Sequence, residues 1–124
     1  MKIAYLSITG NVRSFIDELN VSTEDLIEID DSITPQKVND KFLLFVPTYD
    51  DYMTESLDEF LDEDNSEDCL GIIASGNRNF GAEGYVFTAK NLSKKYEIPL
   101  LHDFEYAGLT VDIKKVMDII AEQK

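Results

Sequence analysis

Short apolar runs alternate along this chain with stretches that carry helical spacing or turn residues, and this alternation limits the possible folds more than any other feature. The runs cover residues 3–6, 26–29, 42–46, 70–74 and 99–104. Strands that are separated by helices pair in parallel, because each crossover returns the chain to the same edge of the sheet. With right-handed crossovers, the pattern predicts an α/β fold: a doubly wound sheet of five parallel strands in the order 2-1-3-4-5, with helices on both faces.

The connections between these runs predict where the helices lie. Three connections and the end of the chain carry apolar residues at three- and four-residue spacing, which is the period of a helix with one buried face. In chain order these positions are Val12, Phe15, Ile16 and Leu19; Leu57, Phe60 and Leu61; Val86, Ala89, Leu92, Ser93 and Tyr96, before Ile98-Pro99 ends the helix; and Val111, Val116, Ile119 and Ile120. Residues 28–41 lack a long apolar stripe, so we expect only a short or irregular helix there. A chain of 124 residues is expected to form a single domain, residues 1–124, around one core.

The composition is strongly acidic. Asp and Glu number 25 against 11 Lys and Arg, which gives a net charge of −14, and no basic residue lies between Lys41 and Arg78. Binding to nucleic acid requires clusters of Lys and Arg, so nucleic acid is disfavoured as a partner and a basic protein is favoured. For most of the acids in residues 58–68, a solvated surface is the simpler interpretation.

Several other classes of function are disfavoured by what the sequence lacks. Cys69 is the only cysteine, so no internal disulfide can form and a reducing cytoplasm is expected. No apolar run approaches the length of a membrane span, and Met1-Lys2 leads directly into a strand instead of a signal peptide. His102 is the only histidine; a structural role is expected for it, and we predict neither a metal site nor catalytic residues of a hydrolase.

The turn after the first strand has the composition of a phosphate-binding loop. Its residues are Ser7, Ile8, Thr9, Gly10, Asn11 and Val12. At the carboxyl end of a strand, such a turn can offer backbone N–H groups, hydroxyls and the positive end of a helix to a phosphate. Helix capping by Thr9 or Asn11 explains the same residues equally well. Since the lysine of a Walker loop and the repeated glycines of a dinucleotide fingerprint are both missing, a single phosphate is favoured.

Two further loops are expected beside the first one, after the third and fourth strands. One contains Pro47, Thr48, Tyr49, Asp50, Asp51 and Tyr52, and the other contains Ser75, Gly76, Asn77, Asn79, Phe80 and Gly81. Their aromatic rings can stack on a flat heterocycle, and their amide side chains can form hydrogen bonds with its edges. One phosphate and one planar ring together describe FMN.

These motifs resemble those of a known family. The turn Ser-Ile-Thr-Gly-Asn-Val resembles the phosphate loop of flavodoxins, and Pro47-Thr48-Tyr49 resembles their second flavin loop. Residues 74–81, Ala-Ser-Gly-Asn-Arg-Asn-Phe-Gly, together with Ile98-Pro99-Leu100-Leu101, Phe104-Glu105, Gly108 and Asp112, are similar to NrdI, the flavodoxin-like activator of class Ib ribonucleotide reductase. The resemblance covers nearly the whole chain.

The resemblance implies an FMN protein whose reduced flavin reacts with oxygen and supplies an oxidant to the dimanganese site of the radical-bearing subunit of the reductase. It also implies a flavin reductase, not identified by the sequence, as electron donor. Ser7, Thr9, Asn11 and Val12 would then hold the phosphate, whereas Arg78 would face either the flavin or the partner. A generic electron-carrying flavodoxin is the close alternative. A signalling module of the receiver type is disfavoured, because it needs acidic residues at the end of the first strand.

The acids that follow Tyr49 suggest how this chain would tune its flavin. Asp50, Asp51 and Glu55 are close in sequence to the predicted ring site. Each negative charge opposes the formation of an anionic reduced flavin, so these acids are expected to lower the potential of the second reduction. Solvation of the same side chains is the competing interpretation.

Overall fold

The computed structural model describes residues 1–123, and their core is one parallel sheet with the strand order β2-β1-β3-β4-β5. The predicted strand number, direction and order are therefore confirmed. The strands are β1 Lys2–Tyr5, β2 Leu26–Glu28, β3 Phe42–Val46, β4 Cys69–Gly76 and β5 Leu100–Glu105. Because β2 and β5 form the edges, the carboxyl ends of β1, β3 and β4 lie next to one another in the middle of the sheet.

Helices follow four of the five strands. They are α1 Asn11–Asp17, α2 Asp51–Asp62, α3 Gly81–Gly84, α4 Phe87–Tyr96 and α5 Thr110–Glu122. Short 3-10 turns occur at Thr23–Asp25, Ser66–Asp68 and Arg78–Phe80. None of the helices found between residues 1 and 123 combines the length and the apolar character that crossing a membrane requires.

The two faces of the sheet are covered by different helices, as predicted. On one face, α2 and α4 pack with Phe42, Leu44 and Val46, and on the other face α1 and α5 pack with Leu43 and Phe45. These five consecutive side chains of β3 are all fully buried. A central parallel strand that is covered on both sides has no exposed face, which explains its uninterrupted apolar sequence.

The connection from β2 to β3 differs from the expectation, since residues 29–41 contain no helix. The segment has no apolar stripe that a helix could bury. It is held instead by Asn65, which is completely buried. The Asn65 side chain accepts a hydrogen bond from Val38 N at 2.8 Å and donates to Gln36 O at 2.9 Å and to Phe60 O at 2.8 Å.

The start of α1 also differs from the prediction. Helix α1 is preceded by Gly10 in the left-handed conformation, with φ of 95°, and no side chain of the capping residue bonds to the helix. The prediction of Thr9 or Asn11 as N-cap is therefore wrong. Ser7 takes part of that role, because Arg13 N donates to Ser7 Oγ at 3.2 Å.

The predicted buried stripe of the last helix is only partly correct. Val116 of α5 is fully buried, and Ile119 and Ile120 are half-buried, but Val111 is 69 % exposed. Successive helical residues are rotated by about 100°, so Val111 lies roughly 140° away from Val116 around the helix axis. The prediction that Val111 is buried is wrong for this reason.

Candidate functional site

A cleft lies at the carboxyl edge of the sheet, where the loops after β1, β3 and β4 meet. Its volume is about 150 Å³. The residues that line it are Ile8, Thr9, Asn11, Val12, Pro47, Thr48, Tyr49, Ser75, Gly76, Asn77, Phe80 and Tyr106. All but Tyr106 belong to the three loops that the sequence predicts as one site, so the structure does bring these loops together.

The loop after β1 presents free backbone donors to this cleft. Among residues 1–123, no acceptor pairs with the backbone N–H groups of Ile8, Thr9, Gly10, Asn11 or Val12. The left-handed φ of Gly10 turns the chain between the loop and α1, and successive N–H groups around such a turn form a concave anion site. Helix α1 has only 7 residues, so the loop amides contribute more to this property than the helix dipole does.

The floor of the cleft is a chain of hydrogen bonds across three loops. Thr48 Oγ1 donates to Ser75 O at 2.7 Å, and Ser75 Oγ donates to Tyr106 O at 2.6 Å. Tyr106 N then donates to Gly76 O at 3.1 Å. Both hydroxyl protons are engaged within the protein, and both side chains are buried. Thr48 and Ser75 therefore stabilise the floor of the cleft. Towards a ligand their hydroxyl oxygens can only accept hydrogen bonds.

Gly76 is required at the end of β4 because of close packing behind the cleft. A Cβ atom at this position would lie 2.6 Å from Val86 Cγ1 and 3.2 Å from the ring of Tyr85. Tyr85 is 7 % exposed, and burial raises the pKa of its hydroxyl to about 12. A neutral, well-packed wall therefore supports this side of the cleft.

Aromatic rings surround the opening of the cleft. Tyr49 Oη donates to Thr9 Oγ1 at 2.7 Å and so connects the loops after β3 and β1. The backbone of Tyr49 is fixed on α4, because its N–H donates to Thr88 Oγ1 at 3.2 Å and its carbonyl accepts from the same hydroxyl at 3.1 Å. Phe80 is 59 % exposed and Tyr106 is 49 % exposed. Exposed rings beside a polar cleft indicate a ligand with a flat apolar part.

The remaining predicted site residues are not among those that line this cleft. They are Ser7, Gly10, Asp50, Asp51, Tyr52, Asn79 and Gly81. Ser7 and Tyr52 line a neighbouring cavity with Asp30 and Asp31 instead. Asp51 and Tyr52 belong to the first turn of α2 and are exposed, because the chain turns into that helix directly after Asp50.

Two single residues that the sequence highlights have structural contacts away from the cleft. The guanidinium of Arg78 stacks at 4.2 Å on the ring of Tyr85, and its Nε lies 3.2 Å from Glu105 Oε1. His102 Nε2 lies 2.9 Å from Asp112 Oδ1, between β5 and α5. In the part of the chain that the structure describes, no group of three or more His, Cys, Asp or Glu residues is arranged to hold a metal ion.

Sequence reasoning missed Tyr106. This residue follows β5 and has a left-handed backbone, with φ of 52°, as does Gly108, with φ of 79°. Those two turns return the chain over the end of β4 and place Tyr106 at the cleft. The sequence did carry a signal for it. Tyr106 follows the fifth apolar run, and the carboxyl ends of all strands in a parallel sheet lie at the edge that holds the site.

The electrostatic character of the cleft is set by neutral groups. None of its lining residues within positions 1–123 is Lys, Arg, Asp or Glu. An anion in the cleft would therefore be held by N–H and O–H dipoles, without an ion pair. The arrangement can bind a phosphate at one end and a planar ring at the other.

Comparison with known proteins gives one consistent family. A family model described as "NrdI Flavodoxin like" matches residues 3–118. A "Putative NrdI-like protein" of Streptococcus pyogenes serotype M3 is 33% identical over 140 aligned positions, which cover 97% of this chain and 87% of that protein. A "Protein NrdI" of S. pyogenes serotype M1 is 32% identical, with 98% of this chain and 78% of that protein covered. A "Protein NrdI" of Mesoplasma florum is also 32% identical, with 97% and 83% covered.

Proposed function

We propose, from the premise that this chain belongs to the NrdI flavodoxin-like family, that it binds FMN in the cleft and activates a class Ib ribonucleotide reductase. The partner would be the radical-bearing subunit of that reductase, and a separate flavin reductase would supply electrons. When bound, the reduced flavin would supply electrons to dioxygen, and the product would oxidise the dimanganese site of the partner. The observation that carries the proposal is the meeting of free loop amides and exposed aromatic rings in one cleft.

The residues present fit the phosphate of FMN. The backbone N–H groups of residues 8–12 have no acceptor within residues 1–123, and a phosphate can accept several such bonds at once. The exposed hydroxyl of Thr9 adds a further donor at the cleft. Its oxygen accepts a hydrogen bond from Tyr49 Oη, so its own proton remains available to a phosphate oxygen. Because the lining has no cation, one phosphate group fits better than a pyrophosphate with its larger charge.

The residues present also fit a flat ring. Tyr49, Phe80 and Tyr106 lie at the cleft on three different loops, and Asn77 and the backbone of Gly76 lie between them. The cleft volume of about 150 Å³ is below the range of about 300–1,000 Å³ for sites that enclose a drug-sized ligand. A flavin would therefore keep part of its ring in contact with solvent, where a second protein can reach it.

The first test separates the phosphate from the ring. Purified protein is titrated with FMN, riboflavin and FAD, and binding is followed by the quenching of flavin fluorescence. Strong binding of FMN with at least tenfold weaker binding of riboflavin is expected, because riboflavin has no phosphate for the loop amides. FAD should also bind more weakly than FMN, because its pyrophosphate carries a larger charge and the lining has no cation. Gly10→Ala should weaken FMN binding and leave riboflavin binding nearly unchanged, whereas Ser14→Ala, an exposed change within α1, should alter neither. Equal affinities for FMN and riboflavin would contradict the phosphate assignment.

The second test concerns the role of the bound flavin. Reduced, FMN-loaded protein is mixed with oxygen and a manganese-loaded class Ib radical subunit, and the tyrosyl radical is measured by electron paramagnetic resonance. Radical formation above a control without flavin supports the activator. FMN binding with no radical would favour the electron-carrying flavodoxin, for which this chain would reduce an acceptor protein directly.

The acidic residues at the start of α2 provide a test of flavin tuning. Asp50 and Asp51 are exposed and lie outside the cleft, so solvent screens their effect on a bound flavin. Replacing both by Asn should raise the potential of the second reduction only slightly, and the rise should shrink as salt is added. If the potential of the second reduction is unchanged at low salt, Asp50 and Asp51 do not tune the flavin.

A further inference from the structure

An exposed apolar surface begins beside the cleft, in the connection from β5 to α5. Tyr106 lines the cleft and is 49 % exposed, and the next two large apolar residues, Leu109 and Val111, are 70 % and 69 % exposed. Among the described residues, only Tyr52 leaves more of a large apolar side chain exposed. Single exposed apolar side chains are common, but several in one short segment beside a site indicate an interaction surface.

Hydrogen bonds hold this segment in one conformation. Asp112 connects the start of α5 to β5, because its Oδ2 accepts from Leu109 N at 2.9 Å and its Oδ1 lies 2.9 Å from His102 Nε2. Gly108 N donates to Glu105 O at 2.8 Å within the turn. The apolar side chains are therefore presented by a fixed backbone, which lowers the entropy cost of docking a partner.

The charge next to this segment is positive, although the chain as a whole is strongly negative. Lys114 and Lys115 are exposed and follow Val111 by three and four positions, so they lie on either side of it on the surface of α5. Neither lysine forms an ion pair with a carboxylate of residues 1–123, whereas six other Lys and Arg side chains do. Asp118, further along the same side of α5, is no exception. Acidic side chains of a partner would therefore meet unpaired cations here.

The opposite end of the same sheet edge is acidic. Asp30 and Asp31 follow β2, and Asp50 and Asp51 lie at the start of α2. A protein that docks over the cleft would meet negative charge beside β2 and positive charge beside β5. Such a pattern favours one orientation of the partner over the reversed one.

We propose that Tyr106, Leu109 and Val111, together with Lys114 and Lys115, form a docking surface for the radical-bearing subunit, and that this subunit contributes an apolar segment flanked by Asp or Glu. This inference rests on the proposed function, since it concerns the partner named there. An oxidant that passes from the cleft to the subunit has to be kept from solvent, which an apolar contact beside the cleft achieves. An electron donor needs only a brief contact, and such contacts are typically small.

The test measures binding of a manganese-loaded class Ib radical subunit to the full-length protein by isothermal titration calorimetry, in the presence of FMN. Val111→Ser should weaken binding about fivefold or more, as for a residue at the centre of an interface. Lys114→Glu combined with Lys115→Glu should weaken it about tenfold at low salt and less as salt is added. Two matched controls should change the affinity by less than about twofold. Met117→Ser alters another exposed apolar residue of α5, and Lys94→Glu reverses an exposed lysine near the end of α4, before the start of β5.

FMN binding and radical formation are measured on the same variants. FMN affinity should be unchanged, because neither Val111 nor the two lysines line the cleft. Radical formation should fall when the protein is scarce and recover when it is in excess, because the variants alter docking and leave the flavin site intact.

Three results would overturn the inference. Equal affinity of the subunit for the unaltered protein and for Val111→Ser would remove the docking surface and leave the proposed function standing. Loss of FMN affinity in Val111→Ser would show that the segment supports the cleft instead of a partner. If the subunit does not bind the unaltered protein at all, the partner of the proposed function is wrong, and this docking surface is wrong with it.

Discussion

Substitution of Gly108 by alanine should destabilise the protein more than the same change at Gly10, although both glycines have a positive φ. Gly108 has φ of 79°, and Gly10, which is left-handed, has φ of 95°. A Cβ atom at Gly108 would lie 2.6 Å from Phe15 Cδ2, whereas nothing lies within 4 Å of a Cβ atom at Gly10. The pair therefore separates backbone strain from crowding.

The magnitude follows from these two contributions. Left-handed backbone is about 1–2 kcal/mol less favourable for alanine than for glycine, and the lower entropy of the unfolded chain returns about 0.4–1 kcal/mol. For Gly10→Ala the net loss of unfolding free energy is thus about 1 kcal/mol. At Gly108, the ring of Phe15 cannot move away, because it is fully buried and stacks on Phe104 with a centroid distance of 3.9 Å. Overpacking adds about 1–3 kcal/mol, for a total of about 2–4 kcal/mol.

The measurement is urea unfolding, followed by circular dichroism, for the unaltered protein and both variants. With an m-value of about 1–3 kcal/mol/M, the midpoint of Gly108→Ala should lie roughly 1 M below that of Gly10→Ala. Repeating Gly108→Ala in a Phe15→Leu background should recover part of the difference, since leucine leaves room beside the new methyl group. Equal losses at the two glycines, or no recovery with Phe15→Leu, would refute the assignment of the difference to crowding.

Three other substitutions test separate features of the fold by the same unfolding measurement. Asn65→Ala should lower the unfolding free energy by about 2–4 kcal/mol, because it removes three hydrogen bonds, one of them to the buried Phe60 carbonyl, and a loss below about 1 kcal/mol would contradict this role. Asp112→Ala should lower it by about 0.5–2 kcal/mol, because Asp112 Oδ2 accepts from Leu109 N at 2.9 Å at the start of α5; Asp112→Asn should recover part of that loss. Burial raises the pKa of the Cys69 thiol to about 12 from a reference value of 9.0, so above pH 9 the unfolded chain releases a proton that the folded protein keeps, and stability falls with rising pH up to about 12. This contribution approaches about 1.4 kcal/mol per pH unit; Cys69→Ala should show a correspondingly smaller fall, and identical pH profiles would disprove it.

The sheet could be predicted from the sequence because a strand that is buried on both faces is an uninterrupted run of apolar residues. The run 42–46 is apolar throughout, and the structure gives β3 as Phe42–Val46 with every side chain buried. The strand order was predicted from right-handed crossovers together with the placement of the helices on the two faces, and the meeting of three loops follows from that order. None of these steps requires knowledge of a side-chain contact.

The parts of the candidate site that could not be predicted depend on the exact start of a helix or on a backbone turn. Helix α2 begins at Asp51, which directs Tyr52 to the neighbouring cavity instead of the cleft. Tyr106 reaches the cleft through its own left-handed φ of 52°, and such a conformation leaves no periodic pattern in the sequence. The hydroxyls of Thr48 and Ser75 were predicted beside a ligand, but their bonding within the floor depends on the pairing of β3, β4 and the turn after β5.

The absence of a helix between β2 and β3 has a consequence for how the molecule opens. A helix would hold this segment through its own backbone bonds, but residues 36–38 are connected to the body mainly through two side chains: that of Asn65 and that of Lys37, whose Nζ donates to Asp64 O at 2.8 Å. Breaking those few bonds frees the segment while the central strands stay paired. Amide hydrogens there should therefore exchange with solvent through brief local openings, at a free energy well below that of global unfolding. The segment would act as a separately opening unit next to a rigid sheet.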